Sequence, residues 1–79
     1  MKLTYDPRYN VAYIHLRDKS AEVETIRISD ELNVDLAPDG TVYGLELLNA
    51  NHQLSLGPQG ELLVINESSG ARTAVKLPA

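Results

Sequence analysis

The sequence predicts a mainly β protein: a small antiparallel β-meander followed by a C-terminal hairpin, with at most one short helical turn near residues 49–56. Three observations carry that expectation. Apolar and polar residues alternate with period two through Val11 to Arg17, Val23 to Ser29 and Asn33 to Leu48, as in strands that are wet on one face. Turn-forming groups, Asp6-Pro7, Asp39-Gly40 and Ser68-Ser69-Gly70, separate the runs. No stretch has the i, i+3, i+4, i+7 apolar spacing of a long amphipathic helix.

Lys2 to Tyr5 is expected as a first short strand, closed by the turn Tyr5-Asp6-Pro7-Arg8-Tyr9-Asn10. Val11 to Arg17 follows, with Ala12, Ile14 and Leu16 on one side and Tyr13, His15 and Arg17 on the other. After the polar loop Asp18 to Glu22, Val23 to Ser29 is expected to oppose it, setting Ile14 against Ile26 and Ala12 against Ile28. A tight turn at Ser29-Asp30-Glu31 then places Ile28 against Leu32 and Ile26 against Val34. Folding the next run about Asp39-Gly40 sets Leu36 against Tyr43, Val34 against Leu45 and Leu32 against Leu47, so a single sheet face becomes apolar. A slip of one residue would turn every one of those side chains over, which makes the register specific. Gly44 in mid-strand signals a bulge or a close approach by another segment. Beyond Leu48 the alternation stops at Asn49 to Gln53, and Gly57-Pro58-Gln59-Gly60 is a firm interruption. Glu61 to Asn66 and Arg72 to Leu77 then form a hairpin, with Glu61 facing Lys76 and Leu62 facing Val75.

A chain of 79 residues supports a single domain, 1–79, divided into the meander at 1–51 and an extension at 52–79. Such a chain removes only about 60–65% of its unfolded surface from water, so its stability margin is small. The sequence has no cysteine to supply a disulfide or a thiolate-bound zinc, and small domains in that position often recruit a second subunit. A homodimer is therefore expected. The net charge of −4, with seven scattered Lys and Arg residues, argues against a nucleic-acid partner. Neither a membrane span nor the apolar core of a signal peptide is present, and the expected location is cytoplasmic.

The N-terminal motifs resemble a known family. Tyr5-Asp6-Pro7, Ala12-Tyr13-Ile14-His15-Leu16, Glu24-Thr25, Val34-Asp35-Leu36 and the run from Asp39-Gly40 through Gly44-Leu45-Glu46-Leu47-Leu48 occur in the order seen in the prokaryotic domain of unknown function 2283. Its members resemble Tyr-Asp-Pro, an apolar Tyr-Ile-x-Leu strand, a Glu-Thr strand, an Asp-x-Asp-x-Asp-Gly turn and Gly-Ile-Glu-Ile-Leu. The resemblance covers about Met1 to Asn51 and implies a small antiparallel sheet protein of bacteria with no established activity. Toxin–antitoxin-like pairing is suspected for some relatives, which implies a protein partner. The chain departs from that pattern at Asn10, where Asp is frequent, and at Ala37-Pro38, where an acidic residue is usual. The segment from Gln53 to Ala79 lies outside it.

His15, Asp35 and Glu46 are the candidates for a functional surface, since all three fall on the polar side of the sheet. A histidine beside a carboxylate makes a general acid/base pair, because the carboxylate stabilises the imidazolium. The ordinary alternative is a solvated face, with Glu46 paired to Arg17 or Arg27. Asp35, Asp39 and Glu46 lack the close odd-numbered spacing of a calcium loop, and no catalytic residue, metal ligand or cofactor is assigned. No serine sits in a nucleophile elbow, and Gly57 to Gly60 lacks the following Lys-Ser/Thr of a phosphate loop. The expected function is a non-enzymatic binding or structural module that self-associates, because Leu3, Ala12, Ile14, Leu16, Ile26, Ile28, Val34, Leu36, Leu45 and Leu47 form one surface that something must cover. Its C-terminal hairpin is the nearest cover, packed in cis or exchanged in a dimer. Two other readings compete: an antitoxin-like partner of a neighbouring gene product, and a small acid/base enzyme using His15 with Glu46 or Asp35.

Overall fold

In the computed structural model, which describes residues 1–18, 22–56 and 60–77, seven strands and one short helix follow one another along the chain. They are β1 (Lys2–Asp6), β2 (Val11–His15), β3 (Glu24–Ser29), β4 (Leu32–Leu36), β5 (Val42–Leu48), α1 (Ala50–Gln53), β6 (Glu61–Ile65) and β7 (Arg72–Lys76). The first five form one antiparallel sheet in the order β1-β2-β5-β4-β3, and the last two form a separate hairpin. The mainly antiparallel β architecture with a C-terminal hairpin and one helical turn is the predicted one.

The strand order is not the predicted meander. Strand β2 pairs with β5 and not with β3, so Ile14 opposes Leu45 and Ala12 opposes Leu47 in place of Ile26 and Ile28. β3 occupies the far edge, paired to β4 alone, which makes β2 to β5 a Greek key. Apolar alternation could not separate the two arrangements, because each sets aliphatic side chains against Ala12 and Ile14. β5, Val-Tyr-Gly-Leu-Glu-Leu-Leu, takes the centre and is paired along both of its edges. β3, with Glu24 and Arg27, suits an edge.

The register gives the sheet two different faces. One apolar row crosses all five strands as Leu3, Ile14, Leu45, Val34 and Ile26, and the next runs Tyr5, Ala12, Leu47, Leu32. The opposite face carries the rows Thr4, Tyr13, Glu46, Asn33, Arg27 and Lys2, His15, Gly44, Asp35, Thr25. Val34–Leu45, Leu32–Leu47 and Ile26–Val34 are the predicted pairs. Leu36, however, opposes Val42 and not Tyr43, because the register shifts after Asp35 and leaves Tyr43 as an extra residue on β5. Ser29, and not Ile28, opposes Leu32 after a second shift in β3.

The turns follow their residues. Gly40 has φ +87° in the β4–β5 loop, where Thr41 N–H donates to Asp39 Oδ1 at 2.9 Å and holds that carboxyl below its ordinary pKa. Gly70 has φ +78° in the β6–β7 turn, and Glu61–Lys76 and Leu62–Val75 are paired as predicted. The predicted loop residues 19–21 and the interruption at 57–59 lie outside the described residues.

The core is thin. Ala12 and Ala50 are fully buried, Tyr43 and Leu77 nearly so, and among the described residues no large side chain is completely enclosed. The hairpin pairs with none of the five strands, and every residue of β6 and β7 is exposed, so it gives the sheet no close cover. The radius of gyration is 14.2 Å, against about 12 Å for a close-packed domain of this length.

Candidate functional site

Gly44 organises the polar face. It sits in mid-strand opposite both His15 and Asp35, and the ring of Tyr13, two residues before His15 on β2, lies across the gap left by the missing side chain. A Cβ at Gly44 would stand 2.6 Å from Tyr13 Oη and 2.7 Å from the Ile14 carbonyl oxygen, so a side chain there is sterically excluded. The phenol thereby reaches two strands over and donates to Asp35 Oδ2 at 2.5 Å. From β3, Thr25 Oγ1 donates to Asp35 Oδ1 at 2.6 Å. Asp35 thus joins β2, β4 and β3 by accepting two hydroxyls.

The electrostatics of this cluster favour the neutral phenol. Partial burial, the hydrogen bond to Asp35, and the negative charges of Asp35 and Glu46 push the Tyr13 pKa up to about 12. The His15 ring lies against Tyr13 with centroids 4.4 Å apart and planes tilted by 52°. Together with Arg17, Val23, Asp35 and Tyr43, these rings line an open cleft of about 290 Å³, at the lower end of the volumes that hold small ligands.

Of the predicted site residues, His15 and Asp35 share this cleft and Glu46 does not line it. Asp35 hydrogen-bonds to Tyr13 and Thr25 rather than to His15, so no His–carboxylate pair is assembled. Glu46 accepts from Asn33 Nδ2 at 2.9 Å. The expected Glu46 pairing with Arg17 or Arg27 is not formed: Arg27 bonds Asp30, three residues along its own turn. Among the described residues, no group of three His, Asp or Glu side chains converges as a metal site would require. Tyr13 and Thr25, which complete the Asp35 cluster, were legible only as polar-face residues. Gly44 was the available signal, since an aromatic residue diagonal to a strand glycine fills its gap.

A second cluster explains position 10. Asn10, at φ 55°, ends the β1–β2 turn, and Asn49, at φ 53°, ends β5; asparagine tolerates this left-handed conformation better than other side chains do. Asn10 Nδ2 donates to Asn51 Oδ1 at 2.8 Å and Asn49 Oδ1 at 3.2 Å, and its Oδ1 accepts from Asn51 N–H at 2.8 Å. This junction fixes α1 to the sheet. An aspartate at position 10 retains the acceptor for Asn51 N–H, which gives an acidic residue there a structural role.

The third feature is apolar. Ile26 is 37% exposed, Ile28 59% and Leu16 40% on the sheet, while Leu62, Leu63, Val64, Ile65 and Val75 of the hairpin lie between 41% and 56%. A crevice of about 320 Å³ separates the β1 end of the sheet, at Leu3 and Tyr5, from Leu62, Val75 and Leu77 of the hairpin, with Leu54 and Leu56 closing its side.

A family model described as "Protein of unknown function (DUF2283)" matches residues 2–51, well over half of the chain. The chain belongs to this family. The DUF2283 match ends within α1, so the family region comprises the five-stranded sheet, the Tyr13–Asp35 cluster and the asparagine junction, while β6 and β7 lie beyond it. No curated protein and no solved structure matches the chain. Among the described residues, no helix is long and apolar enough to cross a membrane.

Proposed function

We propose that the chain is a non-enzymatic, self-associating β-sheet module, and that its working surface is the apolar sheet face, covered by a second copy. Surface area carries this reading. The single chain exposes 5902 Å², whereas a close-packed monomer of 8.7 kDa exposes about 4,700 Å². The excess of about 1,200 Å², shared between the sheet and the exposed hairpin, exceeds the roughly 800 Å² that each partner contributes to a standard interface. A second copy of the chain fits the face because the two apolar rows carry no charged side chain, so a chain of net charge −4 can meet itself there without opposing like charges. On the polar face, the Tyr13 phenol is held protonated and both Asp35 oxygens accept hydroxyls, which favours a cross-strand brace over proton transfer.

Ile26→Asp tests the proposal. This residue ends the apolar row opposite Val34 and is 37% exposed in the single chain, so its carboxylate reaches water there. In a dimer joined through that face it is buried without a partner. Light scattering is expected to give the mass of two chains for the unmodified protein and of one chain for Ile26→Asp, with a cooperative urea transition showing that the variant is folded. An unmodified protein that stays at one chain mass overturns the reading.

A further inference from the structure

Unbroken alternation along β5 would set Tyr43 with Leu45 and Leu47 on the apolar face. The register shift after Asp35 breaks that alternation at a single residue, and Tyr43, only 8% exposed, lines the polar cleft with Tyr13, His15, Arg17, Val23 and Asp35 instead. Bulges re-aim side chains in this way at sheet edges and beside functional sites. β5 is the central strand, so protection of an edge does not account for this one. The bulge adds a third ring to a cleft that already holds two, since His15 lies against Tyr13 with centroids 4.4 Å apart. Gly44 keeps the space between them free of a side chain of its own.

The polar groups of the cleft differ in what they have left to give. Asp35 accepts from Tyr13 at 2.5 Å and from Thr25 at 2.6 Å, one hydroxyl on each oxygen, and the Tyr13 proton is spent in the same contact. Arg17 is exposed and makes no ion pair and no side-chain hydrogen bond to another described residue. Asp39 feels its charge without pairing to it. The open donors of a guanidinium form a planar fork that matches a carboxylate. We infer that the cleft binds a single-ring carboxylate, its carboxylate forked on Arg17 and its ring packed against Tyr13, His15 and Tyr43. A volume of about 290 Å³ suits one ring, being at the lower end of ligand pockets. Such binding needs no proton transfer, so it agrees with a Tyr13–Asp35 brace. The cleft opens on the polar face and the proposed contact between copies uses the apolar one, so each can hold without the other.

Benzoate is the probe, followed through the amide signals of the ¹⁵N-enriched full chain. Saturable shifts centred on Tyr13, His15 and Gly44 are expected, with a Kd below about 5 mM. Benzamide keeps the ring and loses the charge, and Arg17→Gln removes the fork while leaving the exposed position polar. Benzamide with the unmodified protein, and benzoate with the variant, are each expected to bind at least about tenfold more weakly. The variant's spectrum away from the cleft should be unchanged, which shows that it is folded. Amide signals that stay in place at about 20 mM benzoate overturn the inference, as do shifts centred away from β2 and β5. Benzoate binding that is indifferent to Arg17→Gln, or no tighter than that of benzamide, overturns it as well. Tighter binding of benzylammonium than of benzoate would give the cleft to a cation facing Asp35 and overturn the assignment of a carboxylate.

Discussion

Gly44→Ala is the substitution that most sharply probes the polar face. The added methyl would stand 2.6 Å from Tyr13 Oη and 2.7 Å from the Ile14 carbonyl oxygen, each about 1 Å inside ordinary contact. The tyrosine ring has room to swing outward, but doing so takes its hydroxyl away from Asp35, now 2.5 Å distant. The carbonyl belongs to the paired β2 main chain and yields less easily. Overpacking of this kind costs about 1–3 kcal/mol, and losing a hydrogen bond to a charged group about 1.5–3 kcal/mol, less where water can replace it. Replacing glycine by alanine offsets about 0.5–1 kcal/mol through the unfolded chain. The net expectation is a loss of about 2–4 kcal/mol, a large share of the roughly 4–12 kcal/mol available to a domain of this length. Urea unfolding at fixed protein concentration reads it directly. Adding Tyr13→Ala removes the ring contacts but not the Ile14 oxygen, so the double variant should be less destabilised than the sum of the singles by at least about 1 kcal/mol. A Gly44→Ala protein within about 0.5 kcal/mol of the original would refute the steric reasoning.

The Tyr13 phenol should ionise at about 12 in an ultraviolet titration of the folded protein. Asp35→Asn should bring that step down towards 10 and Tyr13→Phe should abolish it. Because the folded pKa lies above the ordinary value of 10.0, the stability this group contributes is whole below pH 10 and is lost as pH rises through about 12. Asn10→Ala removes three side-chain hydrogen bonds and a favourable left-handed residue, for an expected loss of about 2 kcal/mol, whereas Asn10→Asp, which keeps the acceptor for Asn51 N–H but neither donated bond, should lose less than Asn10→Ala. Urea midpoints of the two variants compare them.

The strands, the turns and the two-faced character of the sheet were legible because period-two alternation and Asp-Gly or Ser-Gly turns act locally. Strand order was not, since Ala12 and Ile14 are equally well matched by β3 and by β5, and a choice between two apolar partners is made by whole-sheet packing. The Tyr43 bulge was hidden for a related reason: alternation through Leu36 and Tyr43 reads as continuous, and one extra residue leaves no mark on composition. At the candidate site, His15 and Asp35 were placed on one face correctly by parity alone. Their actual partners, Tyr13 and Thr25, depend on Gly44 letting a ring lie diagonally across the sheet, which is a three-dimensional consequence of an absent side chain. Glu46 looked conspicuous between leucines, yet its neighbour across the strand pair is Asn33, and that amide satisfies it.

Whether the apolar sheet face meets a second copy of itself is measured most directly by sedimentation equilibrium across a micromolar dilution series. The result predicted is a mass of twice 8.7 kDa that falls towards 8.7 kDa on dilution. A mass fixed at 8.7 kDa at every concentration, in a protein that is folded and soluble, would contradict it.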